Sequence, residues 1–204
     1  MSTKYLTCAE TAKLVRAALK EAFPDVKFGV RAKTYSGGAS MTITWTDGPN
    51  NAQVEAIANR FKGSYFDGSI DYKGSVYHML NGEQVSFGAD FIHCTRSYTD
   101  EMVQRAIDRV FSRFAGNFTE AGIQKPTVEQ YRNGNLWSVQ LPGLHQWGNE
   151  SVQAEVNATL YKHSDRLAVA SSKTAAGVFV THDDGYSRAC GAGMSAVPVE
   201  SLEA

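Results

Sequence analysis

The spacing of apolar residues changes period within the first quarter of the chain, and that change restricts the fold more than any other feature. Thr7-Cys8-Ala9-Glu10 is a capping box, whose hydroxyl and carboxylate can satisfy backbone donors reciprocally at a helix start. Ala12, Val15, Ala18, Leu19 and Phe23 then recur at helical spacing, Lys13, Arg16 and Lys20 take the opposite side, and Pro24 stops the run. From Val26 the period becomes two. Val26, Phe28, Val30 and Ala32 alternate with Lys27, Gly29, Arg31 and Lys33. After the Ser/Gly-rich loop 36–40, Met41, Ile43 and Trp45 alternate with Thr42, Thr44 and Thr46. A helix followed by a hairpin with one buried and one solvated face predicts an α+β fold built on an antiparallel sheet.

The next segments extend this pattern. Val54, Ile57, Ala58 and Phe61 predict a second helix from about Asn51, with Gly63 placed to close it as a left-handed C-cap. Asp67-Gly68, Lys73-Gly74 and Asn81-Gly82 punctuate short strands, and the runs 76–80 and 84–87 around Asn81-Gly82 form the clearest hairpin signal. One more strand is expected over 90–96. Thr99-Asp100-Glu101 opens a third helix with a capping residue and two acids, Val103, Ile107, Val110 and Phe114 line its core side, and Gly116 is read as its end. Residues 1–118 thus read α-β-β-α-β-β-β-α, an antiparallel sheet with helices packed on one face.

Residues 119–204 are expected to form a smaller mixed C-terminal region. Its elements are a hairpin over 131–139, a helix over 151–162 capped by Asn149, a strand over 177–181 and a flexible tail from about 186. The 151–162 segment fits both periods, and its length favours helix.

Charge and cysteine usage narrow the function classes. The net charge of -1, from 20 basic and 21 acidic residues, provides no whole-chain field toward nucleic acid or anionic lipid, and no dense carboxylate surface to imitate one. Any nucleic-acid contact must therefore be a local patch. Cys8, Cys94 and Cys190 are odd in number and far apart, which suits reduced thiols rather than a disulfide framework or paired metal ligands. The N-terminal residues lack a secretory pattern and no apolar run reaches membrane-spanning length, so a cytoplasmic protein without membrane partners is expected.

Two basic groups are candidate binding residues. On the first hairpin, Lys27, Arg31 and Lys33 lie beside Thr42, Thr44 and Thr46, and Tyr35 next to Gly37-Gly38 offers a ring for an unpaired base. The plainer reading is a solvated sheet face whose lysines discourage edge pairing. Arg105, Arg109 and Arg113 form a stripe on the third helix with Arg96 upstream, able to grip a phosphate backbone or an acidic protein surface. Glu101 and Asp108 are close enough in sequence to pair with that stripe locally, leaving an ordinary solvated helix face.

Catalytic chemistry finds little support. His182-Asp183-Asp184 after a strand is the most enzyme-like string, yet neighbours on an extended chain point to opposite faces, and Gly185 suits a polar turn. His78 and His93 fall on different strands without a Cys or Glu cluster at ligand spacing. There is no Gly-x-Ser-x-Gly elbow, and Gly191-Ala-Gly-Met lacks the lysine of a phosphate loop. Trp137 and Trp147 sit among turn residues, as loop anchors or as an exposed contact surface. No catalytic residue, metal or cofactor is expected.

The opening run from Tyr5 to Arg16, the continuation Phe23-Pro-Asp-Val-Lys-Phe-Gly-Val-Arg, and Ser36-Gly-Gly-Ala-Ser with Trp45-Thr-Asp-Gly-Pro resemble the large polyvalent protein associated domain, type 29. The resemblance covers residues 4–115 best and echoes weakly in Thr181-His-Asp-Asp-Gly-Tyr. It implies a mobile-element accessory protein of phages or plasmids, acting on a host protein or defence complex such as a CRISPR effector. It brings no active-site set to transfer. A nucleic-acid-binding module using the two basic groups is the alternative, and a metal enzyme on His182 and Asp184 a distant third.

Overall fold

The computed structural model of the chain describes residues 3–141, 151–165 and 170–186. Its contacts divide the chain differently from the expected break near residue 118. One compact unit comprises residues 1–45, 52–95 and 167–204, and the other residues 46–51 and 96–166.

In the first unit, β1 (Lys4–Leu6) precedes α1 (Cys8–Ala22), whose capping box is formed in full: the Thr7 hydroxyl accepts from the Glu10 amide while the Glu10 carboxylate accepts from the Thr7 amide. β2 (Gly29–Tyr35) and β3 (Gly38–Thr46) pair as an antiparallel hairpin with Tyr35 opposite Gly38, so the expected five-residue loop shrinks to Ser36-Gly37. α2 (Asn51–Ala58) runs into a 3₁₀ turn, Asn59–Phe61. Gly63 then follows without a positive φ. Its role is close approach instead of the expected cap: it donates to the Ala89 carbonyl, and a side chain there would run into the Phe87 backbone.

Next come β4 (Ser64–Asp67), β5 (Tyr72–Leu80), β6 (Glu83–Phe87) and β7 (Phe91–Ser97). Asn81 and Gly82, with φ of 51° and 86°, form the tight turn between β5 and β6. Lys73-Gly74 is not a turn. Gly74 lies within β5 because the Tyr65 ring packs where its Cβ would be. These strands make two sheets: a five-stranded one in the order β1-β6-β5-β4, with a further strand on β5, and a three-stranded one in the order β2-β3-β7. β1 joins β6 in parallel, and the remaining strands of the larger sheet pair antiparallel.

The chain enters the second unit with α3 (Asp100–Arg113), capped by the Thr99 hydroxyl. α4 (Ala115–Glu120) contains Gly116, which therefore does not end a helix, and α5 (Val128–Arg132) is followed by a 3₁₀ turn, Asn135–Trp137. The hairpin expected over 131–139 is absent. Thr127 and Gln130 complete a second capping box, and this local cap directs the segment into helix. α6 (Val152–Lys162) confirms the helical reading of its segment, with Ser151 as its cap; Asn149, the expected cap, lies outside the described residues.

The chain returns to the first unit through α7 (Lys173–Ala176) and β8 (Val178–Asp183), the latter pairing antiparallel with β5. Glu21 at the end of α1 receives the Ser172 and Thr174 hydroxyls and the Thr174 amide. The first unit's core draws on α1, both sheets, α2 and these returning elements, with Leu19, Met41, Ile43, Phe61, Phe87 and Val178 among its members. The second unit has its own core around Val103, Ile107, Phe118, Leu136, Val156 and Leu160. The expected α+β class is borne out, although as two sheets and two cores. The tail beyond 186, Trp147, Cys190 and the 191–194 glycine run lie outside the described residues.

Candidate functional site

The strand register places three of the eight predicted binding residues, Arg31, Lys33 and Tyr35, on one surface. Opposite residues in an antiparallel pair share a face, so Arg31 beside Thr42, Lys33 beside Ser40 and Gly29 beside Thr44 put Arg31, Lys33, Tyr35, Thr42 and Thr44 on the face away from the core. Arg31, Lys33, Tyr35 and Thr44 are exposed, and Lys27 is exposed two residues before β2 begins. Val30, Met41 and Ile43 on the opposite face are buried. β7 adds His93 and Thr95, both exposed, to the outer side, while Ile92 and Cys94 pack on the core. Phe91 and His93 stack, 6.4 Å apart and within 13° of parallel. The sequence reading weighed His93 only as a possible metal ligand with His78 and did not single out Phe91 or Thr95, for which the alternation over 91–95 is the available signal.

The remaining predicted residues lie in the second unit, and most are held there by side chains or carbonyls. Arg96 is only 8% exposed. Its guanidinium donates to the carbonyls of Asp47, Gly48, Leu160 and His163 at 2.7–3.1 Å, and lies 5.1 Å from the Tyr98 ring. Leu160 belongs to the last turn of α6, whose carbonyls have no partner within the helix, so a buried cation there satisfies acceptors and complements the helix dipole. Burial lowers the Arg96 pKa, while nearby Tyr98 and acidic groups oppose the shift.

The α3 stripe pairs with distant residues instead of the local acids expected. Arg105 meets Asp165 at 2.9 Å, Arg109 donates to His163 Nδ1 at 2.7 Å, and Arg113 lies 3.9 Å from Glu155. Asp108 binds Lys125 and Gln104. Trp137 lines a groove of about 480 Å³ with Tyr98 and Tyr161 in this unit.

A groove in the first unit has no counterpart in the sequence reading. Glu55, Ala56, Asn59 and Arg60 from α2 and its 3₁₀ extension face Val178, Phe179 and Val180 of β8 across about 510 Å³. Consecutive strand residues point to opposite faces, so a groove lined by three of them in a row runs along the strand's edge. β8 pairs with β5 alone among the described residues. Phe179 is 61% exposed at this edge. Its position was invisible in the sequence because a strand's partners, and hence its free edge, depend on distant segments.

The enzyme-like string does not converge. The His182 ring stacks on Tyr77 at 4.7 Å, Asp183 accepts from the Gly185 amide, and Asp184 accepts from the Tyr65 and Tyr72 hydroxyls and the Ser75 amide. Partial burial pushes Asp184 up, yet these donors together hold it below the usual carboxylate range. Among the described residues no three His, Cys, Asp or Glu side chains gather as metal ligands. His78 lies on the core face of β5 and His93 on the outer face of the other sheet. Burial raises the Cys8 thiol, and burial followed by the Glu55 charge raises Cys94 to about 12, so neither is poised as a nucleophile. No helix among the described residues is long and apolar enough to cross a membrane.

These features define an α+β protein whose candidate sites, among the described residues, are open strand faces and a strand edge. Residues 6–99 match the family model of large polyvalent protein associated domain 29. The match falls on the family that the opening residues resemble and covers somewhat less than half of the chain. Comparison with curated proteins and with solved structures gave no match.

Proposed function

We propose that this is a non-catalytic accessory protein of a phage or other mobile element that binds a host protein by adding an extended segment of it to the free edge of β8. The observation that carries this reading is the groove of about 510 Å³ along that edge, with Phe179 exposed beside it. An unpaired strand edge offers backbone donors and acceptors to a further strand, and an adjoining groove selects its side chains. Protein interfaces concentrate binding energy in aromatic anchors near such grooves, and Phe179 has that position. The family match supports a mobile-element setting, in which a host defence complex such as a CRISPR effector is the target class.

The test pairs retention of a defence component from host lysate with a phage- or plasmid-protection assay, using wild type and Phe179→Ser. Phe179 is largely solvent-exposed, so the substitution should leave the fold intact by circular dichroism. Wild type is expected to retain a specific component and to protect, and the variant to lose both. Absence of protection by wild type, or full retention and protection by Phe179→Ser, would overturn the proposal.

A further inference from the structure

We infer that the outer face of the three-stranded sheet binds single-stranded nucleic acid, independently of the β8 edge. The charge pattern comes first. The outward positions are Gly29, Arg31, Lys33 and Tyr35 on β2, the even-numbered residues 38–44 on β3, and Phe91, His93 and Thr95 on β7, and none is a carboxylate. Arg31 and Lys33 make no ion pair among the described residues. Two residues apart on β2, they stand about 7 Å from one another along the strand. The nearest acid in sequence to β7, Asp90, is already matched by Lys73 at 3.0 Å and the Ala39 amide at 3.0 Å. A chain of net charge -1 therefore presents a locally cationic face.

The neutral groups on this face select among anionic partners. Thr42 and Thr44 bring hydroxyl donors beside the two cations, the combination that phosphate and sugar oxygens accept. Tyr35, 45% exposed at the hairpin end, and the Phe91–His93 stack supply rings on both outer strands of the sheet. Unpaired bases stack on such rings, whereas a duplex hides its base faces and an acidic protein has none to offer. The platform is also narrow: three strands at about 4.8 Å spacing span about 10 Å, enough for one nucleic-acid strand lying flat. A duplex major groove instead admits a helix or a two-stranded ribbon.

Fluorescence anisotropy with short labelled dT and rU oligonucleotides, at low salt, tests the inference against a duplex of equal length and a poly-glutamate peptide. Single strands are expected to bind more tightly than duplex and peptide, and the tighter of dT and rU identifies the preferred sugar. Arg31→Ala with Lys33→Ala should weaken binding about tenfold and flatten the salt dependence by about 1.4 in log–log slope, the share of two phosphate contacts on a single strand. Tyr35→Ala should cost about tenfold with the salt slope unchanged, as lost stacking does. No binding of either oligonucleotide, equal binding of poly-glutamate or duplex, or an unchanged double variant would overturn it. Phe179→Ser leaves this face untouched, so its effect on host-protein capture and the oligonucleotide results fail or succeed separately.

Discussion

His78 shows how one side chain can set a pH dependence that no motif announces. Its ring is fully buried on the core face of β5, 4.8 Å from Phe87, and neither nitrogen has a hydrogen-bond partner of ordinary geometry. Burial pushes its pKa down from 6.5 to about 4, against a weaker upward pull from the Val76 backbone. The folded protein therefore holds a neutral imidazole where the unfolded chain would bind a proton. Stability from this site is complete above pH 6.5 and falls progressively as the pH drops toward 4. Between pH 7.5 and 5 the loss is about 2 kcal/mol, at 1.36 kcal/mol per pKa unit. His78→Leu removes the proton-binding group at similar volume. Urea denaturation at the two pH values should show the wild-type decline shrinking by about 2 kcal/mol in the variant. An unchanged decline would mean that His78 is not the titrating group. The sequence marked His78 only as one of two histidines on different strands, because alternation assigns a face without saying whether a polar atom there finds a partner.

At the level of elements, the parts readable from sequence were those specified by neighbours in the chain. The Thr7 capping box, the Asn81-Gly82 turn and the Thr99 cap all use partners within a few residues, and each was found where expected. Arg96 belongs to the opposite case. It looked like an outlier of the α3 basic stripe, since a positive charge in sequence does not reveal that carbonyls from residues 47–48 and from the end of α6 will surround it. Gly63 and Gly74 were likewise legible as glycines but not as close-approach sites, because the backbone and ring that crowd them arrive from other strands. Arg96→Ala leaves four carbonyls of the second unit without their shared donor. It should destabilise that unit by about 3 kcal/mol or more, the usual cost of removing a charged donor from buried acceptors. Arg96→Lys keeps the charge but not the fork of donors, so an intermediate loss is expected. Thermal unfolding followed through the second-unit Trp137, in chains whose Trp45 and Trp147 are both replaced by Phe, provides the readout; equal stability of all variants would show that the Arg96 contacts do not stabilise that unit.

For the whole molecule, the decisive fact is that the first unit is discontinuous in sequence while its family match ends at residue 99. β8 covers one side of β5 from Val76 to Leu80, Ala175 and Val178 enter the same buried cluster as Leu19 and Phe61, and Glu21 fixes the start of α7. None of this can be read from the opening residues, whose periodicities describe only the faces of their own elements. Its consequence is physical: β5 without β8 exposes a row of unpaired backbone groups, and the core loses apolar partners on one flank. A chain ending at residue 166 should therefore lose stability in the first unit even though every family-matched residue remains. Hydrogen exchange gives the sharpest test. Amides of Tyr77 and Met79, whose partners across the ladder are His182 and Phe179, should lose protection, whereas amides in the middle of α3 should retain theirs. Supplying residues 167–186 as a separate peptide should restore protection at Tyr77 and Met79 in a concentration-dependent manner, since a strand that binds only the folded unit stabilises it by mass action. Full protection of those two amides in the shortened chain would show that the larger sheet is complete without its last strand.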